Sequence, residues 1–276
     1  AIKPAAYLLN KAILATLKQG RKHSSHKGSY GRVLAVGGQH GMLGAVLLSG
    51  TAALVTGAGL VQIITTERQA PTVPLYRPEL MAFGFQGSEN HINIPPAEVL
   101  VLGMGLGTSQ WSKALWQQLI NAHIPTVLDA DGLNLLADLS ADLKPDDNAI
   151  QVITPHPKEA ARLLNCSVKD IQENRLKACE TLAIRFQCVA VLKGSGSLIS
   201  DGENTYVCPY GSADLATAGT GDVLAGMLGS LMAQGYSPLL SAQMAVVWHA
   251  VAADKVNLGR CLTATDLIDC LADALK

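Results

Sequence analysis

Aromatic side chains are scarce: three Phe, six Tyr and three Trp make up 4% of the 276 residues. A core of stacked rings is therefore excluded. Ala, Val, Leu and Ile must fill the interior, since 49% of residues are hydrophobic and 26 are glycine. Continuous runs of such residues suit a parallel sheet covered by helices on both faces. Charge of either sign is also sparse, with 21 basic and 22 acidic residues. The one basic stretch, Arg21–Lys22–His23 with Lys27, has no interleaved aromatics, so no nucleic-acid footprint is expected. The six cysteines form no C-x-x-C pair, which points to isolated thiols in a reducing compartment. No apolar run reaches the ~18 residues of a membrane span. The best stretch, Ala242 to Ala253, is broken by His249. With no charged segment leading into an apolar one at the N-terminus, a cytoplasmic location without membrane contact is expected.

Hydrophobic periodicity predicts an opening helix from about Ala5 to Leu17, then strands at 33–36, 60–65, 99–102, 126–128, 150–153 and 189–192. Predicted helices cover 43–56, 111–122, 131–139, 158–164 and 169–186. Residues 66–96 read as a long connection with one short strand near Leu80, a length that suits cover for a site or an interface. A hairpin around Asp201–Gly202 leads to three closing helices at 222–234, 238–257 and 263–275. Alternating strands and helices imply a three-layer α/β/α sandwich with a mostly parallel central sheet, formed as one domain over residues 1–276.

The unusual residues fall just after predicted strands: Gly37–Gly38, Gly103–Gly107, Asp129–Asp131, Thr154–Pro157 and Lys193–Ser197. Parallel strands place all five loops on one edge, where ligands of α/β sheets bind. The loop Ala218-Gly-Thr-Gly-Asp222 opens a helix, and its glycines and free amides suit phosphate. Asp222 at that helix start is expected to be kept ionised by the helix dipole and to accept a proton from an attacking hydroxyl; a plain capping Asp is the other reading. Gly103-x-Gly105-x-Gly107 matches a dinucleotide fingerprint poorly, because Thr108 stands where the pattern places its third glycine, and the P-loop pattern is absent. Lys193-Gly-Ser-Gly-Ser197 suits a nucleotide or a hairpin entry. His156, fixed between Pro155 and Pro157, is aimed for a ligand contact, whereas Glu159 reads as a helix cap and His249 as a satisfied core residue.

Taken together, Val36-Gly-Gly38 with Gly44-Ala-Val, Gly57-Ala-Gly59, Gly103-Met-Gly-Leu-Gly107, Leu128-Asp-Ala-Asp-Gly-Leu-Asn134, Thr154-Pro-His-Pro-Lys-Glu159, Leu192-Lys-Gly-Ser-Gly196 and Ala216-Thr-Ala-Gly-Thr-Gly-Asp-Val-Leu224 resemble the ADP/ATP-dependent NAD(P)H-hydrate dehydratases of the ribokinase-like superfamily. The resemblance runs from about Lys27 to Leu271. It implies a cofactor-repair hydro-lyase that takes (S)-NADH or (S)-NADPH hydrated at C6 and restores the normal cofactor. The hydroxyl is phosphorylated and phosphate is then eliminated, with ADP (giving AMP and phosphate) or ATP as co-substrate and Mg2+ on the phosphates. Carried over by position, Asp222 is the base. Lys193, Gly194, Ser195, Gly196, Ser197, Thr217, Gly219, Thr220 and Gly221 bind nucleotide, and Ala45, Gly105, His156 and Asp222 contact the hydrated dinucleotide. Metal ligands, and roles for Asp129, Asp131 and Asn134, are left unassigned. A homotetramer is implied, and an NAD(P)H-hydrate epimerase is expected to be separate or missing, since the chain is short for a fused one.

Two positions depart from the family pattern. Gly211-Ser-Ala-Asp214 replaces a frequent Gly-Asn-Pro-Gly and adds a negative charge near the expected phosphate, and Met104 replaces a frequent proline. Three other readings compete. One is a superfamily kinase for hydroxyethylthiazole or hydroxymethylpyrimidine, which the Thr154–Glu159 motif disfavours. The others are a non-catalytic nucleotide-binding regulator and an NAD-dependent dehydrogenase.

Overall fold

The computed structural model describes residues 4–18, 20–21, 23–88, 92–138 and 149–276. Its strands are β1 (Tyr7–Leu8), β2 (Arg32–Val36), β3 (Leu60–Thr66), β4 (Leu80–Phe85), β5 (Val99–Leu102), β6 (Thr126–Leu128), β7 (Ile150–Ile153), β8 (Val189–Leu192), β9 (Leu198–Ser200) and β10 (Thr205–Val207). They form one sheet in the order β1-β10-β9-β8-β7-β6-β5-β2-β3-β4. Neighbours run parallel except β9, which is antiparallel to both β8 and β10. From β2 the chain steps outward to β3 and β4, then crosses back to β5 on the other side of β2 and continues outward to β6, so the sheet has its topological switch between β2 and β5.

Successive side chains of a strand point to opposite faces, and the sequence uses this to build two different surfaces. Val33, Ala35, Val99, Val101, Val127, Val152 and Val191 line one core. Leu34, Val36, Leu100, Leu102, Leu128, Ile153 and Leu192 line the other. The leucine-rich face is covered by α3 (Gln110–Leu119), α4 (Asp131–Asp138), α5 (Pro157–Leu164) and α7 (Arg175–Phe186). The valine-rich face carries α1 (Leu43–Val55), α8 (Thr220–Ala233), α9 (Pro238–Val256) and α10 (Ala264–Ala274).

The shorter residues on the valine face let helices come very close. A Cβ on Gly226 would lie 2.0 Å from the Ser49 carbonyl oxygen, and one on Gly229 would lie 2.3 Å from Val101 Cγ2. The α1 and α8 backbones thus touch, and α8 rests directly on β5. Every residue of α8 from Val223 to Ala233 is buried.

Three sequence expectations change. The opening helix is instead β1 followed by a 3-10 helix over Lys11–Lys18, because Tyr7 and Leu8 pair with Tyr206 and Val207 and the Asn10 side chain accepts the Ala12 amide. The helix expected over 169–186 is two, α6 (Val168–Glu173) and α7, since Asn174 takes a non-helical φ of −142° and caps α7 through the Lys177 amide. The connection 66–96 holds a 3-10 turn, α2 (Val73–Tyr76) and the six-residue edge strand β4. Lys22 and Leu139, part of the basic stretch and of one expected helix end, lie outside the described residues. All six thiols are free, and no helix of the described residues is long and apolar enough to cross a membrane.

Gly226→Ala tests the helix contact. Its methyl group must displace the Ser49 carbonyl, so the variant should lose about 1–3 kcal/mol in chemical denaturation, the usual cost of overpacking. Gly41→Ala, where no atom lies within 4 Å of the added carbon but φ is +83°, isolates the backbone cost.

Candidate active site

At the switch between β2 and β5, two glycine loops meet backbone to backbone. The Gly38 amide donates to the Met104 carbonyl at 2.9 Å and the Gln39 amide to the Gly105 carbonyl at 2.8 Å. A Cβ on Gly37 would lie 2.0 Å from the Met104 oxygen, which explains the glycine. Met104 itself is fully buried, so the departure at this position adds only core packing. Gly105, at φ +59°, faces Met42 and Ala45 at the start of α1. Two residues expected to meet the hydrated dinucleotide, Ala45 and Gly105, are therefore neighbours.

Asp131 fastens this crevice to the next strand. Its Oδ2 accepts the Gly107 amide at 2.7 Å, and its own amide donates to Gly103 O at 3.3 Å. Asn134 bridges Asp131 Oδ1 to Arg162, which also grips Asp138 with two hydrogen bonds. Between the two aspartates Ala130 holds φ +49°, a left-handed conformation uncommon outside glycine and typical of strained functional turns.

The turn's first residue, Asp129, is 2% exposed and pairs with Lys193 Nζ at 2.6 Å. The β6 and β8 ends that carry them flank β7, which delivers Glu159 to 4.0 Å from the same ammonium. Burial lowers the Lys193 pKa, yet Asp129, Glu159 and Asp222 more than offset it, leaving the lysine above its ordinary value. A Cβ on Gly221 would lie 3.3 Å from Lys193 Nζ and 3.6 Å from Asp129 Oδ2, so the first turn of α8 closes over the pair.

Asp222 sits in that turn. Burial first, then the charge of Asp129, pushes its pKa up to about 7, despite the opposing pull of Lys193. The expectation that the helix dipole keeps it ionised is corrected: a dipole end contributes ~0.3–1 kcal/mol at an exposed site, too little against desolvation and three neighbouring carboxylates. Glu159 is likewise raised to about 7, chiefly by burial. Its capping role holds as well, since its Oε2 accepts the His156 amide at 2.8 Å.

His156 is the other half of that capping box. Its Nδ1 accepts the Lys158 and Glu159 amides at 3.1 and 3.2 Å, so the ring's lone pair is spent. Burial and then Lys193 lower its pKa, leaving Nε2 as a donor in the neutral ring, 3.4 Å from Glu159 Oε1. The half-exposed ring can thus donate to a ligand but has no lone pair left to act as a base.

Gly219, at φ +90°, leads into α8 without a side-chain cap. A Cβ there would lie 2.5 Å from Leu48 Cδ1. The Thr220 hydroxyl turns inward to the Leu215 and Thr217 carbonyls and holds the preceding loop. It therefore leaves to the backbone amides the anion contact expected of this loop. Asp214 lies in a 3-10 turn capped by Ser212. His249 Nε2 donates to Thr220 O, 2.9 Å away, and is a buried core residue as expected.

The sequence profile described as NAD(P)H-hydrate dehydratase matches residues 33–273. The chain belongs to this family. The bifunctional NAD(P)H-hydrate repair enzyme of Coxiella burnetii is 43% identical over 252 residues, covering 90% of this chain and 51% of that protein. The ADP-dependent (S)-NAD(P)H-hydrate dehydratase of Neisseria meningitidis is 36% identical, covering 87% of this chain and 81% of its own. This chain spans about half the length of the bifunctional relatives it matches. Among solved structures, the ADP/ATP-dependent NAD(P)H-hydrate dehydratase of Bacillus subtilis co-crystallised with ATP/Mg2+ superposes with a TM-score of 0.86 at 26% identity, over 98% and 97% of the two chains. A hydroxyethylthiazole kinase from Pyrococcus horikoshii shares the ribokinase-like fold at a TM-score of 0.63, but only 19% identity.

Within this dehydratase-family site, sequence reasoning missed the Asp129–Lys193 pair. A signal was present: opposite charges directly follow two buried strands separated by one other. Arg175, the first residue of α7, was also missed, and no pattern marks it.

The raised carboxyls make the ligand-free protein sensitive to pH. A carboxyl whose folded pKa lies near 7 but whose unfolded pKa is about 4 adds stability below pH ~4 and loses it as pH rises through ~7. Denaturation midpoints of the wild type should therefore fall between about pH 5 and about pH 8 by more than those of Asp222→Asn. The variant should be the more stable protein at the upper pH.

Proposed function

We propose that this chain dehydrates (S)-NADH or (S)-NADPH hydrate to the normal cofactor, spending an adenine nucleotide, with Asp222 as the proton acceptor. The observation that carries the reading is the placement of Asp222. It stands in the first turn of an uncapped, glycine-led helix, beside Lys193, with a proton affinity near neutrality. A carboxylate beside a phosphate site is ill-suited to binding the anion, but well placed to take a proton from a hydroxyl attacking it.

In this reading Thr220 and Gly221 offer amides to the transferring phosphoryl group, and Gly219 and Thr217 shape the approach. Lys193 to Ser197 hold the adenosine nucleotide. Ala45, Gly105 and the Nε2 donor of His156 hold the dinucleotide. Asp222 removes the C6 hydroxyl proton as its oxygen takes the terminal phosphoryl group, releasing AMP from ADP or ADP from ATP. Cleavage of the C6–O bond with loss of the C5 proton then yields phosphate and the ring double bond. Phosphate, with a second pKa near ~6, leaves far more readily than hydroxide, whose conjugate acid has a pKa of ~15.7.

Asp129, Glu159 and Asp222 share the Lys193 ammonium, and Asp131 adds its charge beside Asp222 and Glu159. The surplus of carboxylate oxygen fits a hard divalent cation such as Mg2+. Among the described residues no three His, Cys, Asp or Glu side chains are grouped as a metal cage. Phosphate and water would therefore supply most of its shell, with Asp129 and Glu159 holding the waters. The ion's contribution is neutralisation of phosphate charge. The same reading gives a cytoplasmic homotetramer, and the exposed Leu75, Tyr76, Met81 and Phe83 at the β4 edge are consistent with self-association.

Enzymatically hydrated NADH or NADPH, incubated with Mg2+ and either ADP or ATP, should regain the dihydronicotinamide absorbance only when nucleotide is present. ADP is expected to be the better co-substrate. Asp222→Asn should lose about 10²–10⁴-fold in rate, the usual contribution of a general base, while still binding nucleotide. A folded wild type that binds nucleotide but restores neither cofactor rules the reading out.

A further inference from the structure

The loop Lys193–Ser197 carries a glycine pair next to the charged cluster, yet its shape is imposed from outside. The guanidinium of Arg175, the first residue of α7, reaches across to it. Nη1 donates to the Ser195 carbonyl, and Nη2 lies 3.4 Å from Leu192 O and 3.5 Å from Lys193 O. One planar cation thus grips three carbonyls within four consecutive residues. Gly194 is required by the same contact: its φ is +146°, and a Cβ there would lie 2.9 Å from Arg175 Nη2.

Two features are unusual for a purely structural arginine. Arg175 is half-buried and forms no ion pair with a carboxylate among the described residues. Its Nε is buried with no acceptor. Buried polar groups are rarely left so, and an unmet donor costs stability. The group is therefore retained at some expense, with its remaining donors committed to one loop.

We infer that Arg175 is a positioning residue for the adenine nucleotide: its guanidinium shapes the Lys193–Ser197 loop so that loop amides and the Lys193 ammonium face the nucleotide phosphates. Arginine suits this task because its rigid fork presents several donors in one plane, whereas lysine offers a single flexible point of charge. The inference rests on the nucleotide-loop reading given above. It adds that affinity for the nucleotide, and not for the dinucleotide, depends on a side chain from another helix.

Calorimetric titration of Mg·ADP and Mg·ATP into wild type, Arg175→Lys and Arg175→Gln tests it, alongside KM for hydrated NADPH. In Arg175→Gln nucleotide affinity should fall about ten- to a hundredfold, the range for hydrogen bonds to a charged group. Arg175→Lys should recover part of it. KM for the hydrate should stay within about twofold, because the Ala45–Gly105 crevice is untouched. Unchanged nucleotide affinity in a folded variant overturns the inference, as does an equal weakening for both substrates. If Arg175→Gln does not fold, Arg175→Lys decides alone: selective loss for the nucleotide supports the inference, and no loss overturns it. A wild type that binds neither nucleotide overturns the functional reading and this one with it. Failure of the variants alone leaves the functional reading intact.

Discussion

One ammonium serves three carboxylates, and the candidate site follows from that imbalance. Lys193 sits 2.6 Å from Asp129 and 4.0 Å from Glu159, and its charge is felt at Asp222. A buried ion pair of this kind contributes little net stability, because desolvating both charges offsets their attraction. It does fix where the pair must lie, since separating the two would leave an uncompensated buried charge. The ends of β6 and β8 and the first turn of α8 are thereby held in one register. An anionic nucleotide meets repulsion in such a place unless positive charge arrives with it or is waiting. In the proposed reaction, the uncapped amides of α8, Lys193 and a cation carried on the phosphates would together answer that repulsion.

Close packing delivers the other component. Because α8 lies directly on β5 through Gly229 and touches α1 through Gly226, its N-terminus cannot drift from the switch between β2 and β5. The small residues that look like weak helix formers are what bring the first turn of α8, with Asp222, against Lys193 and Asp129. The clasp from Gly107 through Asp131 and Asn134 to Arg162 joins that crevice to α5, whose first turn is capped by His156. Crevice and histidine are set by one chain of hydrogen bonds, so groups assigned to the same ligand share the same support.

Much of this was legible in the sequence. The buried strands were, because unbroken apolar runs ending in glycine, Asp-Ala-Asp or Pro-His-Pro admit few other structures. So was their common edge, because parallel strands leave no alternative. Tyr7–Leu8 read as helix because their strand character comes only from pairing with β10, a partner about two hundred residues away. The break at Asn174 was hidden for a related reason: capping chemistry inside a helical pattern shows only when the backbone departs. Arg175 carried no signal, since a cation at a helix start has no period and its target loop lies on another strand. The protonation of Asp222 was misjudged because sequence shows the helix end but not the depth of burial.

The burial of Asp222 bears directly on the proposed reaction. A carboxylate stabilised by a helix dipole in water would have a pKa near or below ~4 and would be a poor acceptor at neutral pH. Burial and the surrounding negative charge raise the proton affinity of Asp222 to about 7, close to where a general base is most effective. In the proposed reaction, the negative charge that disfavours phosphate is also what makes Asp222 basic enough to accept the hydroxyl proton. Neutralising Glu159 would relieve the crowding and weaken the base in the same step, whereas neutralising Asp129 would leave Lys193 without its closest partner. Stability and reactivity are therefore set against each other through a single electrostatic term.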